Sequence, residues 1–362
     1  MDYTSYVKVL EKVPKIKYKI KDCIYSKEHV IYKTIYDFCN HSQKKLFVVS
    51  LSGGVDSMVI ISIIHNLGFN TVAIHLNYNN RSETSIEQAF LEEWCKFNEI
   101  PIYTKIITEL IRGKDVKRSD YEEKTKQIRF NLYKDVIQKE DNKADSIILG
   151  HHKDDVVENI LTNLCRARSL LNLAVLKEET IIEGVNIARP LVQLFKEDVY
   201  EFAKNNHVPY FKDTTPTWSI RGILRNHIMP SLHMAFKHNI KENLLKVNEQ
   251  TTEWNELIHM AVIAPFFYEC VCFENKVVIP ITEVNKKYPF CFWNTVFMKI
   301  FYDYNHSCPS NKSIMMFMNF INTKKHGKFS LSNKCSCLLE NKKQYDHNYN
   351  LYEKNTFSIN WI

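Results

Sequence analysis

The chain has 362 residues, 45% of them hydrophobic and 25% charged, with 48 Lys and Arg against 41 Asp and Glu for a net charge of +7. That length exceeds one small core and suggests two domains. The apolar content excludes wholesale disorder, and the modest basic excess is compatible with a polyanionic partner without requiring one.

Residues 1–45 read as a basic, Tyr-rich extension ending in a helix near EHVIYKTIYDFC. Its first stretch, MDYTSYVKVLEKVPKIKYK, has no apolar core of signal-peptide length, so no secretion signal is expected. From residue 46 strand-like and helix-like runs alternate. KLFVVSL is apolar without alternation, as a strand buried on both faces should be. VDSMVIISIIHNLG is a helix stopped by Gly68, followed by the strand NTVAIHLN and the helix SIEQAFLEEWCKFN. PIYTKII and YEEKTKQIRFNLYKDVIQ make a third pair, ADSIILG and HHKDDVVENILTNLC a fourth. Four strand–helix units in succession predict an α/β fold with a doubly wound, mainly parallel sheet over residues 46–232. Such sheets bind ligands at the carboxyl ends of their strands, where the strand order switches.

Beyond residue 232 the character changes. Ile240, Leu244, Val247, Thr251, Trp254 and Ile258 recur at helical spacing and predict a long amphipathic helix. Residues 233–362 are expected to form a smaller, mostly helical domain with strand-like pieces such as KVVIPI. Its Lys- and Tyr-rich tail is a candidate for RNA contact, against the plainer reading of a solvated surface. The ten cysteines include no C-x-x-C pair, which suits reduced thiols in a cytoplasmic protein. Cys270 and Cys272, with Cys335 and Cys337, form two C-x-C pairs that could offer four zinc ligands or simply occupy alternating strand positions. No run of 18 or more apolar residues occurs, so no ordinary membrane-spanning helix is expected.

The stretch Ser52-Gly53-Gly54-Val55-Asp56-Ser57 lies between the first strand of this series and its helix. A Gly-rich strand–loop–helix junction presents unpaired backbone N–H groups and a positive helix end to an anion. No Lys follows the glycines, so this is not the G-x-x-x-x-G-K-[ST] loop. Here Gly53 and Gly54 allow close backbone approach, Ser52 and Ser57 donate hydroxyl hydrogen bonds, and Asp56 can hold Mg²⁺ against phosphates. Further on, Asp154, Asp155 and Glu158 begin a helix, with positions 155 and 158 on one face. Acidic residues in a first turn are common caps, but two carboxylates on one face beside a nucleotide would also grip a small cation.

The S-G-G-V-D-S stretch resembles the S-G-G-x-D-S signature of the PP-loop, or N-type, ATP pyrophosphatases, which split ATP between its α and β phosphates and adenylate a substrate oxygen. Within that superfamily the chain is similar to the tRNA(Ile)-lysidine synthetases. His75-Leu76-Asn77-Tyr78-Asn79-Asn80-Arg81 resembles their H-x-[DN]-H-G-L-R, and Glu122 through Phe130 their E-x-x-A-R-x-x-R-Y helix. Gly150-His151-His152-Lys153-Asp154-Asp155-Val156-Val157-Glu158 resembles G-H-H-x-D-D-x-x-E. Ala188-Arg189-Pro190-Leu191 resembles R-P-L, and Pro209 through Asp213 followed by Arg225-Asn226 resembles P-[WY]-x-x-D … R-N.

The resemblance implies ATP and Mg²⁺ as cofactors, with ATP against Ser52 through Ser57, His75, Gly150 and His151. It implies a tRNA anticodon loop and L-lysine as partners, with Asp155 and Glu158 recognising the lysine amine. Arg225 would reach the α-phosphate, making Asp56, Asp155, Glu158 and Arg225 the catalytic set, and Arg81, Lys126 and Arg129 would touch phosphates or RNA. The implied reaction adenylates the C2 oxygen of a wobble cytidine, after which lysine displaces AMP. Departures from the family's pattern are also visible in the motifs. Asn159 stands where the family has Thr, Cys165 through Ser169 replace a Gly-rich turn, and no second Arg follows Arg225-Asn226. Two other readings stay open at this point: tRNA 2-thiolation on the same scaffold, and a non-catalytic nucleotide- or RNA-binding protein.

Overall fold

The computed structural model describes residues 6–7, 19–42, 46–80, 83–108, 118–140, 143–144, 146–168, 173, 176–212, 219–237, 239–324, 326–345 and 351–361. The chain forms two compact units, Met1–Thr251 and Thr252–Ile362.

In the first unit, β1 (Tyr6–Val7) and α1 (Val30–His41) precede β2 (Leu46–Ser50), α2 (Val55–Asn66), β3 (Asn70–Asn77), α3 (Thr84–Phe97), β4 (Ile102–Ile106) and α4 (Arg118–Lys139). Then come β5 (Ile147–Ile148), α5 (Lys153–Cys165), the strands β6 (Glu179–Ile182) and β7 (Val185–Ala188), and α6 (Lys196–Asn205). β8 (Tyr210–Phe211), α7 (Ile220–Ile223), a π-helical turn over Leu224–Ile228, α8 (Met229–Phe236) and α9 (Ile240–Ile258) complete it, the unit boundary falling within α9. The six-stranded sheet runs β4-β3-β2-β5-β7-β6. All its pairs are parallel except β6 with β7, so the doubly wound, mainly parallel sheet is present.

The reason is visible in β2. Phe47 and Val49 pack into the cluster that holds α2, Trp94 and Phe202, whereas Leu46 and Val48 pack into the cluster of Phe130, Tyr133 and Val136 on α4. A strand apolar on alternate sides of this kind must be covered by helices on both faces. Helix α2 is itself buried nearly all round, from Met58 to Ile64, as its lack of a polar stripe requires. Because successive strands go to one side of β2 until β4 and to the other side from β5, the order switches between β2 and β5. At that switch point Ser50 Oγ meets Tyr133 Oη at 2.8 Å. Tyr133→Phe is expected to cost about 1 kcal/mol, the worth of one hydrogen bond, read as a lower denaturant midpoint with unchanged slope.

The second unit contains α10 (Ala264–Tyr268), β9 (Val271–Phe273), β10 (Lys276–Ile281), α11 (Phe290–Asp303), α12 (Asn311–Thr323), β11 (Gly327–Phe329), β12 (Cys335–Tyr345) and β13 (Leu351–Trp361). Its helices sit with a five-stranded antiparallel sheet, β11-β12-β13-β10-β9, around Trp293, Phe297, Phe317 and Phe357. In register, Cys272 pairs with Val277, Val277 with Ile359, and Ile359 with Cys337. At about 4.8 Å per strand spacing the two C-x-C pairs are some 14 Å apart, too far for one zinc ion to bridge. Cys335 and Cys337 instead lie on one face of β12, buried with their sulfurs 3.9 Å apart.

Candidate active site at the β2–β5 switch

The Ser52–Ser57 loop follows β2, and Gly150-His151-His152 follows β5, so both lie at the carboxyl ends of the two strands flanking the switch. Between them opens a cleft of about 790 Å³ lined by Ser52, Asp56, His75, Arg129, His151 and Asp155, among others. The loop is tied from within and from behind. Ser57 Oγ donates to the Gly54 carbonyl at 3.1 Å and the Gly54 N–H donates to Ser52 Oγ at 3.2 Å. Gly53 has φ +82°, and a Cβ there would fall 2.5 Å from the Phe211 ring. Phe211 also donates its N–H to the Gly53 carbonyl at 2.9 Å, which fastens β8 to the loop.

His75, placed by β3, is buried, and its Nδ1 lies 2.8 Å from the Leu51 carbonyl. A carbonyl only accepts, so Nδ1 carries the hydrogen and Nε2 is left as an acceptor. Burial lowers its pKa. His75 therefore both braces the loop and lines the cleft as a neutral ring.

Asp56, in the first turn of α2, has Oδ1 buried without a hydrogen-bond partner, and Lys196 Nζ lies 3.5 Å from its Oδ2. Arg129 lines the same cleft with its Nε buried and unpartnered. Lys126 does not join them: it is ion-paired to Glu183 at 2.6 Å on the outside of α4, where exposed pairs of this kind contribute little. Arg81 and Asp213 lie outside the described residues, as does Ser169.

Asp155 and Glu158 share one face of α5 and are both buried. Asp155 Oδ2 accepts from the His152 backbone N–H at 3.1 Å, the capping role, while Oδ1 meets the guanidinium groups of Arg221 and, at 3.2 Å, Arg225. Glu158 accepts from Arg221 Nε at 2.9 Å and also from Arg225 Nε. Burial opposes ionisation of Asp155, but its interactions with His152 and Arg221 outweigh it and hold its pKa below the usual carboxylate range. Arg225, expected against a phosphate, thus rests on the carboxylate pair, although it still lines the cleft. Arg221 is not singled out by the motifs, because the family's R-N falls on Arg225-Asn226 and no second arginine follows it. Its i,i+4 spacing from Arg225 was the available signal.

Beyond this wall lies a second cavity of about 350 Å³ that includes Glu158, Asp154, Lys241 and Met229. His152, Lys196, Tyr200 and Arg225 line both spaces.

A PP-loop domain model matches residues 27–232, more than half of the chain. The chain belongs to the PP-loop family. Among curated relatives, the tRNA(Ile)-lysidine synthase of Chlamydia muridarum (strain MoPn / Nigg) is 27% identical over 236 residues, covering 65% of this chain and 72% of that one. The tRNA(Ile)-lysidine synthase of Chlamydia trachomatis serovar A is 26% identical over 255 residues, covering 70% and 78%. That of Enterococcus faecalis is 30% identical over 192 residues, covering 51% of this chain and 40% of its own length.

Within this PP-loop site His151 has the most perturbed imidazole. Burial chiefly pushes its pKa down to about 4; Arg189, Arg221 and His152 also oppose protonation, and Asp155 favours it. The unfolded chain takes up the proton near 6.5. Between those values the unfolded state binds the proton and the native state does not, so stability is fully present above pH 6.5 and falls as pH drops toward 4. Denaturant midpoints at pH 7 and pH 5 should show this fall, and His151→Gln should shrink it.

Proposed function

We propose that this PP-loop protein is an ATP-dependent tRNA-modifying ligase of the lysidine synthetase type. One observation carries the reading: Asp155, one half of a carboxylate pair that already holds two cationic side chains, lines the cleft that the Ser52–Ser57 loop opens onto, while its partner Glu158 lines the adjoining cavity. A site that combines a phosphate cradle with a cation grip suits a reaction between a nucleotide and an amine.

In this reading ATP lies with its phosphates on the loop, and its adenine within reach of the His75 Nε2 acceptor. The C2 oxygen of a wobble cytidine attacks the α-phosphorus, and the bond to the β-phosphate oxygen breaks to release pyrophosphate. The ε-amine of lysine then attacks C2, and AMP leaves with the oxygen as the amine loses its proton. Arg129 supplies an uncommitted donor for the phosphates. Asp155 and Glu158 orient the ammonium in exchange for part of their contact with Arg221 and Arg225. Asp56 suits Mg²⁺ because its Oδ1 is buried and accepts no hydrogen bond, with His152 Nε2 nearby at 3.8 Å, and the ion when bound would neutralise phosphate charge. A single-stranded anticodon loop is the form of RNA whose bases can be turned into such a cleft.

The test mixes the full chain with ATP, Mg²⁺, labelled lysine and bulk tRNA. Label should enter RNA with the wild type and be lost with Asp56→Ala. Pyrophosphate release that depends on tRNA but brings in no lysine would retain the ATP half and overturn the amine assignment. Absence of both would favour a non-catalytic binding protein.

A further inference from the structure

Arg189, which directly follows β7, is 2% exposed, and no carboxylate pairs with it among the described residues. A buried, uncompensated cation is costly and calls for an explanation. Its Nη1 donates to the Lys177 carbonyl and to Thr180 Oγ1, both at 2.8 Å, and its Nε donates to His151 Nδ1 at 3.2 Å. A guanidinium has no acceptor. His151 Nδ1 must therefore present its lone pair to Arg189, and the one N–H of the ring is on Nε2.

We propose that Arg189 is a positioning residue that locks His151 as the neutral Nε2–H tautomer, a hydrogen-bond donor in the cleft that is barred from acting as a general base. Protonating Nδ1 would require breaking the bond to Arg189 and placing two cations face to face. Removing a proton at Nε2 is closed off because that nitrogen already carries one. Burial is the chief reason the ring stays neutral below its usual range; Arg189, Arg221 and His152 add to that effect and Asp155 works against it. His75 carries the opposite tautomer in the same cleft, with Nδ1–H on the Leu51 carbonyl. The two rings thus give the cleft one neutral acceptor and one neutral donor, each fixed by the partner of its other nitrogen.

On the ligase reading, to which this adds a role, His151 Nε2–H faces an electron-rich oxygen of the substrates, a phosphate oxygen or the base carbonyl. Proton removal from the amine is then left to other groups.

The experiment is ¹⁵N-histidine NMR on the full chain without nucleotide, with the His151 signals assigned by their loss in His151→Gln. The wild type should show protonated Nε2 and bare Nδ1 from pH 8 down to pH 5, with no titration midpoint above 5. In Arg189→Met the tautomers should mix and the midpoint rise by at least about one unit, a tenfold change in acidity. Arg189→Lys, which keeps a charged donor, should stay nearer the wild type. Protonated Nδ1 in the wild type, a midpoint near the ordinary 6.5, or an Arg189→Met spectrum identical to the wild type would overturn the proposal. The wild-type spectra decide even where Arg189→Met does not fold. They also hold whether or not ATP binds, which calorimetry with ATP tests separately.

Discussion

Asp155→Asn should lower amine-dependent product formation by about 10²-fold or more, and Glu158→Gln should do nearly the same. Each exchange keeps the shape of the side chain and removes the charge that faces Arg221 and Arg225. Breaking a buried pair is costly because the remaining ion is left uncompensated. Because both arginines keep some access to water, the effect on folding should be smaller than on turnover, about 1–3 kcal/mol, the cost of a buried polar group left unsatisfied. Arg221, whose side chain is 52% exposed, can turn to water, whereas Arg225 at 22% cannot do so as freely. Steady-state assays beside denaturant curves separate the two. Equal losses in both would mean the carboxylates serve only to hold the fold.

Gly150→Ala is the second large effect. A Cβ at Gly150 would fall 2.8 Å from Asp56 Cβ, 3.1 Å from the Ser57 nitrogen and 3.2 Å from the Asp56 carbonyl carbon. These are atoms of the first turn of α2 rather than the end of a flexible side chain, so relief requires the helix start and the loop to move. Nucleotide affinity should drop by about 10²-fold, because a shift of about 1 Å in a positioned group is enough for that. Overpacking should cost a further 1–3 kcal/mol or so in stability. Gly68→Ala makes the control. Gly68 has φ +84° and open space where its Cβ would go, so that variant should show backbone strain of about 1–2 kcal/mol and unaltered nucleotide binding. Isothermal titration with a non-hydrolysable ATP analogue on both variants is the measurement.

Much of the α/β unit was legible because its elements obey local rules. The unbroken apolar run Leu46–Val49 marked a strand covered on both faces, and NTVAIHLN matches β3 residue for residue. The Ser52–Ser57 loop was legible through its glycines, and the cleft does gather Asp56, His75, His151, Asp155 and Arg225. What the sequence hid is what depends on partners far away in the chain. Arg189 stood in a recognised motif, but only its 3.2 Å contact with His151, thirty-eight positions back, gives it a chemical task. Lys126 and Arg129 looked alike on one helix; Glu183, brought up by the turn after β6, claims the first and leaves the second to the cleft. The two C-x-C pairs could not be separated until strand register placed β13 and β10 between them.

The two units have separate apolar interiors, one around Trp94 and Phe202, the other around Trp293 and Phe297. Among the described residues, each of these interiors is built from side chains of its own unit. Two-state unfolding is a property of small single domains, and a chain with two such interiors is tested for it unit by unit. Trp94 and Trp293, both fully buried, are the reporters inside the two interiors, and the signal each contributes is the difference made by its removal from the chain's five tryptophans. With Trp94→Phe or Trp293→Phe in hand, an ATP analogue that binds the cleft should raise the transition of the first body and leave that of the second in place.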